Sequence, residues 1–186
     1  MSGSNLAHRP RAVASVLCGI AIVVALVASG ESNTATKVES DGGAEDQNES
    51  GAPSTQDQIF RVGDLVEIGE WRIRVHKVTD PLQSSNEFIG PSDGNRWVAA
   101  DLEVTNLSTS GAVMSTLMCL ELQDSSNQNY SIAITAEDFP ELDGDVAAGA
   151  SRRGVAVFEV PQGASGLTLK FSCDIFNTGQ ASIRLN

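Results

Sequence analysis

Residues Ile59 to Asn186 predict an all-β domain of two packed antiparallel sheets with seven to eight strands, and three observations carry that expectation. Apolar and polar residues alternate over short runs, Gly, Asn, Asp and Pro punctuate the runs, and no stretch keeps a 3.6-residue period. A period of two is what a strand shows when one face is buried and the other is solvated, and two such sheets can cover each other.

Ahead of the domain, His8, Arg9 and Arg11 precede AVASVLCGIAIVVALVASG, an uncharged run from Ala12 to Gly30. A positive region followed by an apolar one is the order of a secretory signal, and Ala28 and Gly30 suit cleavage before Glu31. The alternative is an uncleaved membrane-anchor helix over 12–30, since about 20 apolar residues span a bilayer. Either way 1–30 is expected to export the rest of the chain, giving a secreted or cell-surface protein that meets the membrane only through this segment. Cys18 follows Leu17 inside the apolar run and makes a poor lipidation site.

Residues 31–57 contain no aromatic residue and few apolar ones. Such a segment buries too little apolar surface to offset chain entropy, so it is expected to be a disordered acidic linker, with the domain itself spanning 58–186.

Within the domain, Leu65 to Ile68 and Trp71 to Val78 predict a hairpin across Gly69-Glu70. Trp71, Ile73 and Val75 then share one face, and Arg72, Arg74 and His76 the other. Pro81 to Asn95 is expected to be a long loop. Trp97 to Asn106 predicts a central strand with Val98, Ala100, Leu102 and Val104 inward and Asp101, Glu103 and Thr105 outward. Met118, Leu120 and Leu122 predict another strand, Asp124 to Asn129 a polar turn, and Tyr130 to Thr135 the return. Val155 to Val160, closed by Pro161, Leu167 to Phe171, and Ala181 to Leu185 complete the set.

Several of these segments occur together in a known pattern. FRVGDLVEIGEWRIRVHKV from Phe60, GNRWVAADLEVTN from Gly94, LELQDSSNQNY from Leu120 and AAGASRRGVAVFEVPQGASGLTLKF from Ala147 resemble a bacterial exported family, domain of unknown function 4352. That family is related in fold to a mycobacterial immunoprotective secreted antigen. The resemblance implies an immunoglobulin-like β-sandwich outside the cytoplasm and brings no common reaction with it. Asn127 stands where the family's turn usually has Gly, a position Asn can occupy with positive φ, and Ala147 and Ala148 stand where Pro often precedes the Gly.

Cys119 and Cys173 are the domain's two cysteines, and a disulfide between them would contribute about 4 kcal/mol by the chain-entropy argument. Strict alternation places Cys119 opposite Leu120 and Leu122 while Cys173 shares parity with Leu169 and Phe171. One strand must therefore end or bend for the sulfurs to meet, and two separately buried thiols are the other reading.

The chain holds 12 basic against 24 acidic residues, which excludes an electrostatically driven nucleic-acid partner. His76 is the domain's one histidine, and no residue pattern marks a nucleophile beside it. Arg72, Arg74 and His76 form a cationic stripe, expected to pair across strands with an acidic row such as Asp101 and Glu103, or else to contact an anion or partner. Glu137, Asp138, Glu141, Asp143 and Asp145 crowd one loop without the spacing of a calcium loop and are expected to be solvated. Phe88 and Ile89 sit in the long loop, with Phe88 expected to pack on the sandwich rim. No cofactor or metal is expected. The reading is a non-enzymatic extracytoplasmic binding or accessory module for an unidentified protein or envelope component. A tethered structural spacer is the alternative, and a calcium module or hydrolase stands behind both.

Overall fold

The computed structural model describes residues 34–38, 58–86, 88–135, 137–173 and 179–186. The leader-like run 12–30 and most of 31–57 lie outside them, and among the described residues no helix is long and apolar enough to cross a membrane.

In chain order the strands are β1 (Thr36–Val38), β2 (Ile59–Arg61), β3 (Leu65–Ile68), β4 (Trp71–Leu82), β5 (Asn95–Asn106) and β6 (Ala112–Met114). A one-turn helix, α1 (Thr116–Cys119), precedes β7 (Leu120–Gln123) and β8 (Asn129–Tyr130). Then come β9 (Gly144–Val146), β10 (Ser151–Pro161), β11 (Thr168–Phe171) and β12 (Ala181–Arg184). The first sheet has the order β1-β3-β4-β5-β10, the second β2-β12-β11-β7-β8, and β6 and β9 form a separate ribbon.

The two sheets enclose one core. Ile73, Val75, Leu102 and Phe158 from the first sheet and Leu122, Leu169, Phe171 and Ile183 from the second are fully buried together. Trp71 meets Phe171 edge-on, ring centroids 6.5 Å apart, and so joins the sheets. Asn106 is buried without cost because its Nδ2 donates to the Ser110 and Val146 carbonyls and its Oδ1 accepts from Ser108 N–H.

The predicted hairpin, the alternation of β5 and the Pro161 stop all appear. Several expectations are corrected. There are twelve strands among the described residues rather than seven or eight, because short edge pieces of two to four residues carry too few alternations to be read. The second sheet is not wholly antiparallel: β2 runs parallel to β12. The supposed linker is ordered at Thr36–Val38, which pairs antiparallel with β3, while Ala35 is buried and Lys37 Nζ lies 2.9 Å from Asp64 Oδ1. Backbone pairing and one ion pair offset the lack of apolar side chains there. β4 continues through Pro81 to Leu82, so the long loop starts later than read.

Met118 is not in a strand. It lies in α1 and is exposed, because the helical turn breaks the period of two just before Leu120. The predicted return strand ends at Tyr130, after which the chain leaves the second sheet: Ile132 bridges to Phe158, and Ala133 N–H donates to the Val157 carbonyl. Farther on, Val155 N–H donates to the Pro140 carbonyl. At Gly154 the passage is so close that a Cβ would stand 2.5 Å from Leu142 N and 2.6 Å from the Pro140 carbonyl oxygen. A mid-strand glycine is required by that approach.

Candidate functional site

The outer face of the first sheet gathers the cationic stripe. Arg72, Arg74 and His76 project from β4 on one side as read, but only Arg74 and His76 face the acidic row of β5. Arg72 bonds Glu67 of β3, with Nε to Oε1 at 2.8 Å, and not the acidic row of β5. Asp101 is held by Arg153 of β10 through two bonds of 2.8 and 2.7 Å, which lower the Asp101 carboxyl below its ordinary range. Glu103 is the register partner of Arg74 and lies 3.7 Å from His76 Nε2.

A register shift in β4 lies between Val75 and Lys77, so His76 is the extra residue of a β-bulge. With Val75 and Val78 both facing the core, the bulge puts Lys77 beside His76 on the outer face. The sequence held no signal for it, because a bulge replaces the alternation of one strand by a choice made against its partner. Arg74 Nε and His76 Nε2 are shielded from solvent and have no hydrogen-bond partner among the described residues.

The rim loop from Gln83 to Asn95 is built differently. Glu137 accepts from Ser85 N–H at 2.6 Å, a bond that lowers its pKa. Glu159 Oε1 accepts from Ser92 N–H at 3.0 Å and Asn95 Nδ2 at 2.8 Å, bonds that bring its carboxyl down to about 2. Arg96 locks the loop's foot: two bonds reach Asp80, and others reach the carbonyls of Pro161, Gln162 and Ala164. On this braced loop Phe88 is 87% exposed, so the expectation that it packs on the rim is wrong. Its own turn explains the difference: Phe88 N–H donates to Asn86 Oδ1 and Ile89 N–H to the Asn86 carbonyl, which closes a tight turn at the loop's tip. Beside it a cleft of about 490 Å³ opens among Leu82, Ser84, Pro91 and Arg96.

The acidic loop is dispersed rather than convergent. Glu137 braces the rim, Asp143 accepts from Thr116 N–H and Oγ1, and Asp145 lies in β9. Among the described residues no group of three or more His, Cys, Asp or Glu could hold a metal ion.

Cys119 and Cys173 are joined by a disulfide, with Cα atoms 4.4 Å apart. The parity conflict is resolved by α1: Cys119 ends the helical turn instead of continuing β7, so its side chain is free of the strand's alternation. Just past the end of β11, Ser172 N–H donates to the Cys119 carbonyl.

The polar turn after β7 carries its own signature. Asp124 Oδ1 accepts from the N–H groups of Ser126 and Gln128, and Oδ2 accepts from the Tyr130 hydroxyl at 2.8 Å, while Asn127 takes φ 63°. These bonds hold the Asp124 carboxyl below its usual range, the Gln128 N–H foremost. The family model of DUF4352, a domain of unknown function, matches residues 60–181, a span that includes this turn. The chain belongs to the DUF4352 family.

Two solved structures of Bacillus subtilis proteins agree on the fold of this DUF4352 chain. It is similar to the yjhA protein of Bacillus subtilis, with a TM-score of 0.53 at 16% identity over 69% of this chain and 100% of that one. It is also similar to the ycdA protein of Bacillus subtilis, with a TM-score of 0.52 at 14% identity over 62% of this chain and 36% of that one. The DUF4352 chain thus spans about a third of the ycdA protein's length. A secreted protein of Mycobacterium tuberculosis, MPT63, matches with a TM-score of 0.42 at 11% identity, covering 64% of this chain and 83% of that one. Curated proteins give no match.

Proposed function

We propose that this DUF4352 protein is a non-enzymatic, extracytoplasmic module with an immunoglobulin-like sandwich that binds a protein or envelope component through the rim loop at Phe88. The observation that carries the reading is Phe88 itself. An aromatic ring 87% exposed contributes nothing to the core, yet the loop that presents it is fixed by Glu137, Glu159 and Arg96. Braced loops that display apolar groups beside a cleft are where binding residues concentrate.

The extracytoplasmic placement is supported by the leader-like run and by the Cys119–Cys173 bond, since disulfides persist in oxidising compartments. The non-enzymatic reading is supported by His76, whose Nε2 faces Glu103 and no hydroxyl or thiol among the described residues. The spacer alternative loses ground because part of the supposed linker, Thr36–Val38, belongs to the first sheet.

The test is a photo-reactive phenylalanine analogue placed at position 88 and, as a control, at Ser126 in the turn after β7, in cells that export the protein. The expected result is an adduct of discrete mass from position 88 alone. Identical adducts from both positions, or none from 88, would overturn the reading.

A further inference from the structure

The cationic stripe separates into one satisfied residue and an unsatisfied cluster. Arg72 is neutralised by Glu67, and Arg153 engages both oxygens of Asp101. That leaves Arg74, His76 and, through the bulge, Lys77 side by side on the outer face, with Glu103 as the nearby carboxylate that no arginine holds among the described residues. Arg74 Nε and His76 Nε2 are both shielded from water, and neither has a partner among those residues. Two shielded side-chain nitrogens without partners, on residues that share one face of a strand, are uncommon in folded proteins and mark a place where a polar partner would fit. The cluster is cationic within a domain that is acidic as a whole, so the acceptor that fits it is one of negative charge.

We propose that Arg74, His76 and Lys77 form an oxyanion site that takes a carboxylate or phosphate group. Arg74 Nε–H and His76 Nε2–H supply two donors from alternate residues of the strand, an arrangement suited to two oxygens of one planar or tetrahedral anion. Lys77 adds exposed positive charge. Glu103, the register partner of Arg74, lies 3.7 Å from His76 Nε2, too far for a hydrogen bond, and so leaves that nitrogen open to another partner. The site lies on the sheet face and goes beyond the rim-loop reading, so either can fail while the other stands.

The experiment tracks the His76 ring resonances of the exported protein, disulfide intact, while sodium acetate or inorganic phosphate is added at one pH. Ionic strength is held constant with chloride. A saturable shift is expected, with affinity falling about tenfold or more in both Arg74→Gln and Arg74→Lys and unchanged in Arg72→Gln. Saturation by acetate but not phosphate would assign the site to carboxylates, and the converse to phosphates. Arg74→Lys keeps the charge and loses the Nε donor, so it separates a directed bond from a general field. A shift that never saturates, or equal weakening in the Arg72 and Arg74 variants, would overturn the site.

Discussion

The outer face of the first sheet is made by the same strands along its length, yet its two halves are built on different physics. Toward Asn95, the outward residues Trp97 and Ala99 of β5 and Val155 and Val157 of β10 are apolar. Leu82, Ala133 and Phe139 pack over them in a second, smaller core. Toward Asn106, the outward residues are Asp101, Glu103 and Thr105, with Arg74, His76 and Arg153 beside them. The difference comes from the path of the chain after Tyr130: where residues 132–135 and 137–142 lie against β10, the outer face becomes interior, and where they do not, it stays charged. A strand's outward face is therefore defined segment by segment by what lies over it.

The largest expected effect comes from breaking the covered half. Trp97→Ala should cost about 3–5 kcal/mol, since Trp97 is buried and its removal leaves a cavity under Phe139. A loss below about 1 kcal/mol by denaturant unfolding would show that the cover is ornamental. Gly154→Ala should cost about 1–3 kcal/mol by driving the added methyl into the backbone at Pro140–Leu142. Faster amide exchange at Ala133 and Val155, whose N–H groups tie the crossing segment to β10, should accompany it.

A smaller effect tests the boundary between the halves and the rim. Glu159, cross-strand from Trp97, has its carboxyl lowered from 4.5 to about 2, chiefly by Asn95 and then Ser92. A lowered folded-state pKa means stability that is full above pH 4.5 and is lost as pH falls toward about 2. The difference in melting temperature between wild type and Glu159→Gln should thus be greatest near neutrality and close over that interval. A constant gap would assign Glu159 a pH-independent packing role. The smallest effect belongs to the charged half: Arg74→Gln should change stability by less than about 0.5 kcal/mol, measured by chemical unfolding. A loss of about 2 kcal/mol or more would make Arg74 a structural residue and erase the contrast.

Much of the fold was legible residue by residue. Val98, Ala100, Leu102 and Val104 point inward as their spacing demands, Asn106 closes its strand by bonding backbone groups, and Pro161 ends β10. The candidate sites were legible only in part. Arg72, Arg74 and His76 do share a face, but which carboxylate each one meets depends on β3 and β10, which the stripe's own spacing does not contain. Phe88 looked like a packing residue because an aromatic side chain in isolation favours burial. The turn set by Asn86 and the braces from Glu137 and Glu159 decide otherwise.

The sequence by itself determined the all-β class, the hairpin at Gly69-Glu70, the inward faces of β4 and β5, and the family. Each rests on neighbouring residues or on a contiguous pattern. Only the tertiary structure decided that Thr36–Val38 is a strand, that β2 pairs parallel with β12, and that His76 is a bulge residue. It also decided that Cys119 reaches Cys173 through a helical turn and that Trp97 is interior on an outer face. The physical reason is common to all of these: a backbone hydrogen bond or a buried contact is satisfied by a partner distant in the chain, and alternation records which side a residue faces but not what comes to cover it.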